Sequence, residues 1–220
     1  MKTMFLIPCK EHSTLDHKNR FLFPFLVSQL KNAEINPHDI YIYTDDEYIK
    51  KMAIDNNYKI IFRSSMYSKS ETQIKKCLED IFYKTPWMND YYDTAMMLYL
   101  TFPLRLSTHI LDICKYLENK NFKSLITVKK ITGRMTPARM LDLNYNPVWF
   151  NENMVNRQDF PIFWERFGYI IAFRIDEIKN LNNQLYNKDS VFHEIDRNEN
   201  TELDIDSEDD FIKFMKILSR

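Results

Sequence analysis

Glycine is almost missing from this chain: Gly133 and Gly168 are the two it has in 220 residues, where ordinary usage gives about fifteen. Any phosphate-binding loop must therefore work without the usual glycine backbone. Cysteine is scarce as well. Cys9, Cys77 and Cys114 are odd in number and lack metal-type spacing, so they read as reduced thiols of a cytoplasmic protein, not a disulfide framework. Net charge is nearly absent, at −1 from thirty basic and thirty-one acidic residues. That leaves no basic field for a nucleic-acid partner. Apolar runs of membrane-spanning length are missing too: Phe21–Val27 is among the longest, and Pro24 interrupts it. The opening Met1-Lys2-Thr3 runs straight into a strand-like segment and lacks a signal-peptide layout.

What is present alternates short β-type runs with amphipathic segments. Phe5-Leu6-Ile7, Ile40-Tyr41-Ile42-Tyr43 and Lys59-Ile60-Ile61-Phe62 read as strands. Ala95–Leu98 is a further apolar run, and Ser124–Val128 and Tyr169–Phe173 predict two more strands. Helical spacing covers a segment from about Arg20 with Pro24 in its first turn, then Asp46–Asn56, Thr72–Tyr83 and His109–Leu117. A β-α-β-α rhythm predicts one α/β domain with a mostly parallel sheet and helices on both faces. Ligands of such sheets bind beyond the carboxyl ends of the strands, which points to the residues after Ile7, Tyr43, Phe62 and Leu98. Residues 131–164 lack a clear period, and we read them as an insertion that packs on a partner subunit.

Three segments carry candidate chemistry. In the first, Lys10 and Lys18 bracket Ser13 and Thr14 ahead of a helix start, where free N–H groups and the helix dipole favour an anion. Two ammonium groups suit a triphosphate. The alternative is a solvated loop with Asn19 as N-cap. In the second, Thr44-Asp45-Asp46-Glu47 follows a strand; its acids could reach a ribose or metal, but capping the next helix accounts for most of them. In the third, Leu203-Asp204-Ile205-Asp206 alternates, so an extended backbone turns Leu203 and Ile205 to the core and both aspartates away. Two carboxylates on one face make a Mg²⁺ site, because that ion takes a few protein oxygens plus phosphate and water; the alternative is an acidic turn. Ser207 and Asp210 then form a capping box for a terminal helix with Phe211, Phe214, Met215 and Leu218 as its apolar face. The five histidines show no ligand spacing, His109 reads as structural, and no serine sits in a nucleophile elbow.

Taken in order, these segments resemble the acylneuraminate (CMP-sialic acid) cytidylyltransferase family over most of the chain. The family's loop ARxxSKGxPxKN is similar to LIPCKEHSTLDHKN, with Lys10 at the arginine, Ser13 at the serine and Lys18-Asn19 at the closing pair. Its STD strand end resembles Tyr43-Thr44-Asp45 and its following arginine Arg63. LQPTSPLR resembles LYLTFPLR, Leu98 to Arg105. Arg157, Gln158 and Gly168 resemble a later arginine-glutamine pair and glycine, and DIDTELD resembles Asp204 to Asp210.

The resemblance implies a Rossmann-like three-layer sandwich of the nucleotide-diphospho-sugar transferase type, with 131–164 as a dimerisation insertion of a homodimer. It implies CTP and an acidic 2-keto-3-deoxy sugar as substrates. Lys10, Ser13, Lys18 and Asn19 would hold the nucleotide, and Arg63 its cytidine end. Tyr99, Thr101, Arg157 and Gln158 would face the sugar, and Asp204 and Asp206 would bind Mg²⁺. Lys10, Lys18 and Asp206 would act in catalysis. Tyr99 stands for glutamine, Phe102 for serine and Phe167 for asparagine, which implies a more apolar pocket and a different nonulosonate. A weakened nucleotide-binding relative and a metal-dependent glycosyltransferase are the competing readings.

Overall fold

A computed structural model describes residues 1–11, 17–68, 72–118, 120–131, 137, 140–149, 161–195 and 201–219. Among them are strands β1 (Thr3–Pro8), β2 (Ile40–Thr44), β3 (Lys59–Phe62), β4 (Thr94–Met97), β5 (Ser124–Lys130), β6 (Trp164–Arg174) and β7 (Val191–Glu194). The helices are α1 (Lys18–Asn32), α2 (Glu47–Asp55), α3 (Ile74–Lys84), α4 (Trp87–Tyr91), α5 (Ser107–Glu118) and α6 (Glu208–Leu218).

The strands form one seven-stranded sheet in the order β3-β2-β1-β4-β6-β5-β7. The pairs β1–β2, β1–β4, β2–β3 and β5–β7 are parallel, and only β6 runs antiparallel to its neighbours β4 and β5. The mostly parallel sheet expected from the alternating pattern is therefore present. Strand periodicity divides the core. Phe5, Ile7, Ile40, Ile42, Met96 and Leu98 face one layer with α1, α2, α5 and Phe214 of α6. Met4, Leu6, Tyr41, Tyr43, Ala95 and Met97 face the other, against Cys77, Leu78, Ile81 and Phe82 of α3. Near-continuous burial along β1, β2 and β4 follows from having helices on both faces.

Several expectations need correction. Helix α1 starts at Lys18, so Pro24 lies inside it and not in its first turn. Its missing N–H costs one hydrogen bond, tolerated because the ring sits on the exposed side of the helix. Asn19 is not the N-cap: His17 holds that place, in a left-handed conformation at φ 60°. Strand β6 runs from Trp164 to Arg174, so it starts earlier than the Tyr169–Phe173 expected. In α6 the capping box is as expected, but Met215 and Leu218 are exposed; Phe214 and the half-buried Phe211 carry the packing.

Sheet topology also places the site. Strands β1, β2 and β3 step one way across the sheet, and β4 returns to the other side of β1. The crevice beyond the carboxyl ends of β1 and β4 is the switch point, where connections leave in opposite directions and open a space for ligand.

Candidate active site

The loop after β1, the loop after β4 and the segment leading into α6 meet at that crevice. Thr101 is the anchor: its carbonyl accepts a 2.8 Å bond from the Ile205 amide, and its side chain bonds the Asp204 carboxylate. This tie fixes the alternation of the acidic segment. Ile205 is fully buried, Leu203 half-buried, and Asp206 exposed. Residues 203–206 form no strand, but the inward apolar and outward acidic pattern holds for Ile205 and Asp206. Asp204 departs from it, being half-buried with its Oδ1 shielded from water and without a hydrogen-bond partner. Burial is the main reason its carboxyl is raised to about 6; the Thr101 bond and Lys18 oppose that, and Asp206 adds to it.

Lys18 arrives from the opposite side of the chain. The first turn of α1 sends its side chain inward, where Nζ donates a 2.7 Å bond to the Ile205 carbonyl and lies 4.0 Å from Asp206 Oδ1. Burial lowers its pKa, Asp206 and Asp204 pull it back up, and Lys10 pushes it down further. Lys10 is thus close enough to act on the same charge. Asn19 donates from its side-chain amide to the Lys10 carbonyl at 2.8 Å. The glycine-poor loop is closed by side-chain ties: the Glu11 amide donates to Asp45 Oδ1 at 2.8 Å, and Arg20 pairs with Asp46 at 2.8 Å and Glu11 at 3.5 Å. Asp46 also caps α2, accepting from Tyr48 and Ile49, so the capping reading of that acidic cluster accounts for Asp46.

The remaining predicted residues are placed differently. Arg63 is buried, its Nε and Nη2 both donating to the Tyr67 carbonyl while its guanidinium lies 5.2 Å from the Tyr43 ring centroid. Tyr99 is half-buried, and its hydroxyl is pushed up to about 12 by burial first, then by Cys77, with Arg63 opposing. Phe102 and Phe167 do not make the pocket more apolar. Both are buried and pack edge-to-face at 5.0 Å, so their substitutions act inside the core. A side chain at Gly168 would meet Tyr99 at an ordinary 3.9 Å, so no close approach requires that glycine. Ser13, Arg157 and Gln158 lie outside the described residues. Cys9 is buried, and burial raises its thiol to about 12, so it offers no nucleophile. His109 is structural as expected, its Nδ1 3.0 Å from the Tyr169 hydroxyl. What the sequence did not reveal is Thr101 as the joint between acidic segment and β4 loop; a backbone-mediated tie across a hundred residues leaves no spacing signal.

Among the described residues no cluster of three metal-ligating side chains occurs. Mg²⁺ does not need one, because phosphate and water fill most of its shell. Asp204 fits such an ion: an unpartnered buried carboxylate oxygen is costly until a cation meets it.

No family model matches the chain. A flagellin modification protein B of Campylobacter coli is 26 % identical over 196 residues, covering 86 % of this chain and 80 % of that protein. An N-acylneuraminate cytidylyltransferase of Streptococcus agalactiae is 22 % identical over 231 aligned positions. The likeness is to the acylneuraminate-type cytidylyltransferases. That alignment takes in 96 % of this chain and 52 % of the streptococcal protein, so the chain spans about half of that relative's length. The fold matches a CMP:2-keto-3-deoxy-manno-octonic acid synthetase solved with CTP, at TM-score 0.67 and 12 % identity over 100 % of this chain and 99 % of that one. It also matches a cytidylyltransferase of Leptospira borgpetersenii, at TM-score 0.62 and 14 % identity over 100 % and 87 %. The cytidylyltransferase resemblance and the three-layer architecture expected from sequence both hold.

Proposed function

We propose that the chain is a CTP-dependent cytidylyltransferase that transfers CMP to the anomeric hydroxyl of an acidic 2-keto-3-deoxy sugar of the nonulosonate type. The sugar oxygen bonds to the α-phosphorus of CTP, the bond to the bridging oxygen breaks, and pyrophosphate leaves while the hydroxyl proton is lost to solvent. The observation that carries this reading is the convergence of Lys18 with Asp204 and Asp206 at the switch point of the sheet. Residues some 190 positions apart meet there with opposite charges and an unpartnered carboxylate oxygen.

Each group has a distinct task. Lys10 and Lys18 neutralise phosphate charge, and Asn19 keeps Lys10 in place through its carbonyl. Asp204 and Asp206 would hold Mg²⁺, which supplies Lewis-acid neutralisation of the triphosphate. Tyr99 and Thr101, on the loop after β4, would serve the sugar; Arg157 and Gln158, assigned the same role, and Ser13, assigned to the nucleotide, lie outside the described residues. Arg63 supports the cytidine end by holding the turn at Tyr67. Binding energy goes into positioning and charge placement, as suits phosphoryl chemistry without a covalent intermediate.

A homodimer is part of this reading. Leu143, Tyr145, Val148 and Trp164 lie in or beside the 131–164 stretch and expose apolar surface that a second copy would cover. The cytidylyltransferases among the relatives support this chemistry over a donor-sugar transferase. The test is pyrophosphate release from CTP with a panel of nonulosonic acids, with and without Mg²⁺. Turnover that needs Mg²⁺ and collapses in Asp206→Ala is expected. Tight UDP-sugar binding without a CTP response, or silence across the panel from folded protein, would overturn it.

A further inference from the structure

Arg105 is buried, with 3 % of its surface exposed, and among the described residues no carboxylate hydrogen-bonds it. Its guanidinium donates instead to three oxygens on three different elements. Nε reaches the Tyr169 carbonyl on β6 at 3.0 Å, Nη1 the Gln29 Oε1 on α1 at 3.2 Å, and Nη2 the Tyr99 carbonyl at 2.8 Å. The Phe102 and Tyr169 rings lie 5.6 and 5.3 Å from its central carbon and share its charge. Gln29 completes the frame, donating from Nε2 to the carbonyls of Phe102 and Pro103 at 3.1 and 2.8 Å. Three of the five side-chain hydrogen bonds of this pair are thus spent on the backbone of the loop between β4 and α5.

Burying a cation with no carboxylate bonded to it, and Asp204 acting on it only through space, is expensive, and an apolar side chain would fill the same space more cheaply. The expense makes sense if the loop's exact course matters. We infer that Arg105 is a positioning residue: it locks the 99–105 loop from beneath, so that Thr101 presents its carbonyl to Ile205 and its side chain to Asp204. This inference rests on the proposed function only for its catalytic consequence; the coupling of Arg105 to the acidic segment is a property of the fold. Lysine cannot replace arginine here, because one ammonium cannot span three acceptors set around a planar fork.

The experiment is amide hydrogen exchange on Arg105→Lys, followed at Ile205 and, as reference, at Ile42 in β2. Exchange at Ile205 is expected to quicken at least tenfold while Ile42 stays within about threefold of the parent protein. In turnover with CTP, kcat should fall tenfold or more, with KM for CTP changed less than threefold. Unchanged protection at Ile205 in a folded Arg105→Lys protein would overturn the inference. Should Arg105→Lys fail to fold, Gln29→Met is measured at the same two amides, and parent-like protection at Ile205 there overturns it equally. A parent protein that never turns over CTP would sink the proposed function while leaving the exchange result to decide the coupling.

Discussion

The β1–α1 loop and the acidic segment before α6 bring opposite charges to one crevice, and they are finished to different degrees. On the loop side the buried ammonium of Lys18 has a carbonyl 2.7 Å away, and the loop backbone is tied down by Asn19 and Asp45. On the acidic side Asp204 keeps a buried oxygen without a partner, and Asp206 stands in water. A satisfied cation stands beside a partly unsatisfied anion. On the proposed function, the lysine side would take the phosphates and the carboxylate side would be completed by a cation.

The largest effect that can break this contrast is expected from Lys18→Met. Removing the ammonium should lower kcat/KM about a hundred- to thousandfold, the range seen when a placed transition-state donor is lost. Steady-state pyrophosphate release measures it, and a loss under tenfold would make Lys18 a mere strut for Ile205.

Asp204→Asn should next separate activity from stability. Activity should drop strongly, while thermal unfolding without Mg²⁺ at pH 7.5 moves upward by about 1–2 kcal/mol after allowance for partial exposure. The sign follows from the raised carboxyl. Protonated Asp204 favours the folded state below its unfolded value of 3.8, and that advantage is lost as pH rises through about 6, so at pH 7.5 the ionised group is a burden. A variant less stable than the parent would show that the carboxylate is already paired.

The same titration sharpens the case for the ion. Mg²⁺ should raise the melting temperature at pH 7.5 and do so much less at pH 5, because a proton competes for Asp204 as pH falls through about 6. Calorimetric scans at the two pH values check this, and Asp204→Asn should remove the difference.

The smallest effect belongs to the loop side. Asn19→Ala breaks the bond to the Lys10 carbonyl and should cost about 1 kcal/mol of stability, with a severalfold rise in KM for CTP. Chemical denaturation and initial rates give both numbers. If KM is unmoved, the tie closes the loop without shaping the nucleotide site.

Much of this molecule was legible in the chain. The unbroken apolar runs Phe5-Leu6-Ile7 and Ile40–Tyr43 specified strands covered on both faces, and Asp46 and the Ser207–Asp210 pair marked helix starts by local chemistry alone. Where local rules misled, a tertiary contact had overruled them. Asn19 has the composition of an N-cap, but its amide was drawn to Lys10, and His17 took the cap in a left-handed backbone. Phe102 and Phe167 read as pocket residues because alignment positions carry no depth; in space they face each other under the loop.

By itself, the sequence determined the order of elements, the faces they bury and the side chains able to carry charge, since each follows from neighbours within a few positions. The tertiary structure alone decided that Lys18 would reach the Ile205 carbonyl, that Asp204 would lose its water, and that Arg105 would sit beneath the loop joining them. Those outcomes depend on which strand ends the sheet order brings together, and on the solvent excluded when they meet. No spacing along a chain encodes a dielectric.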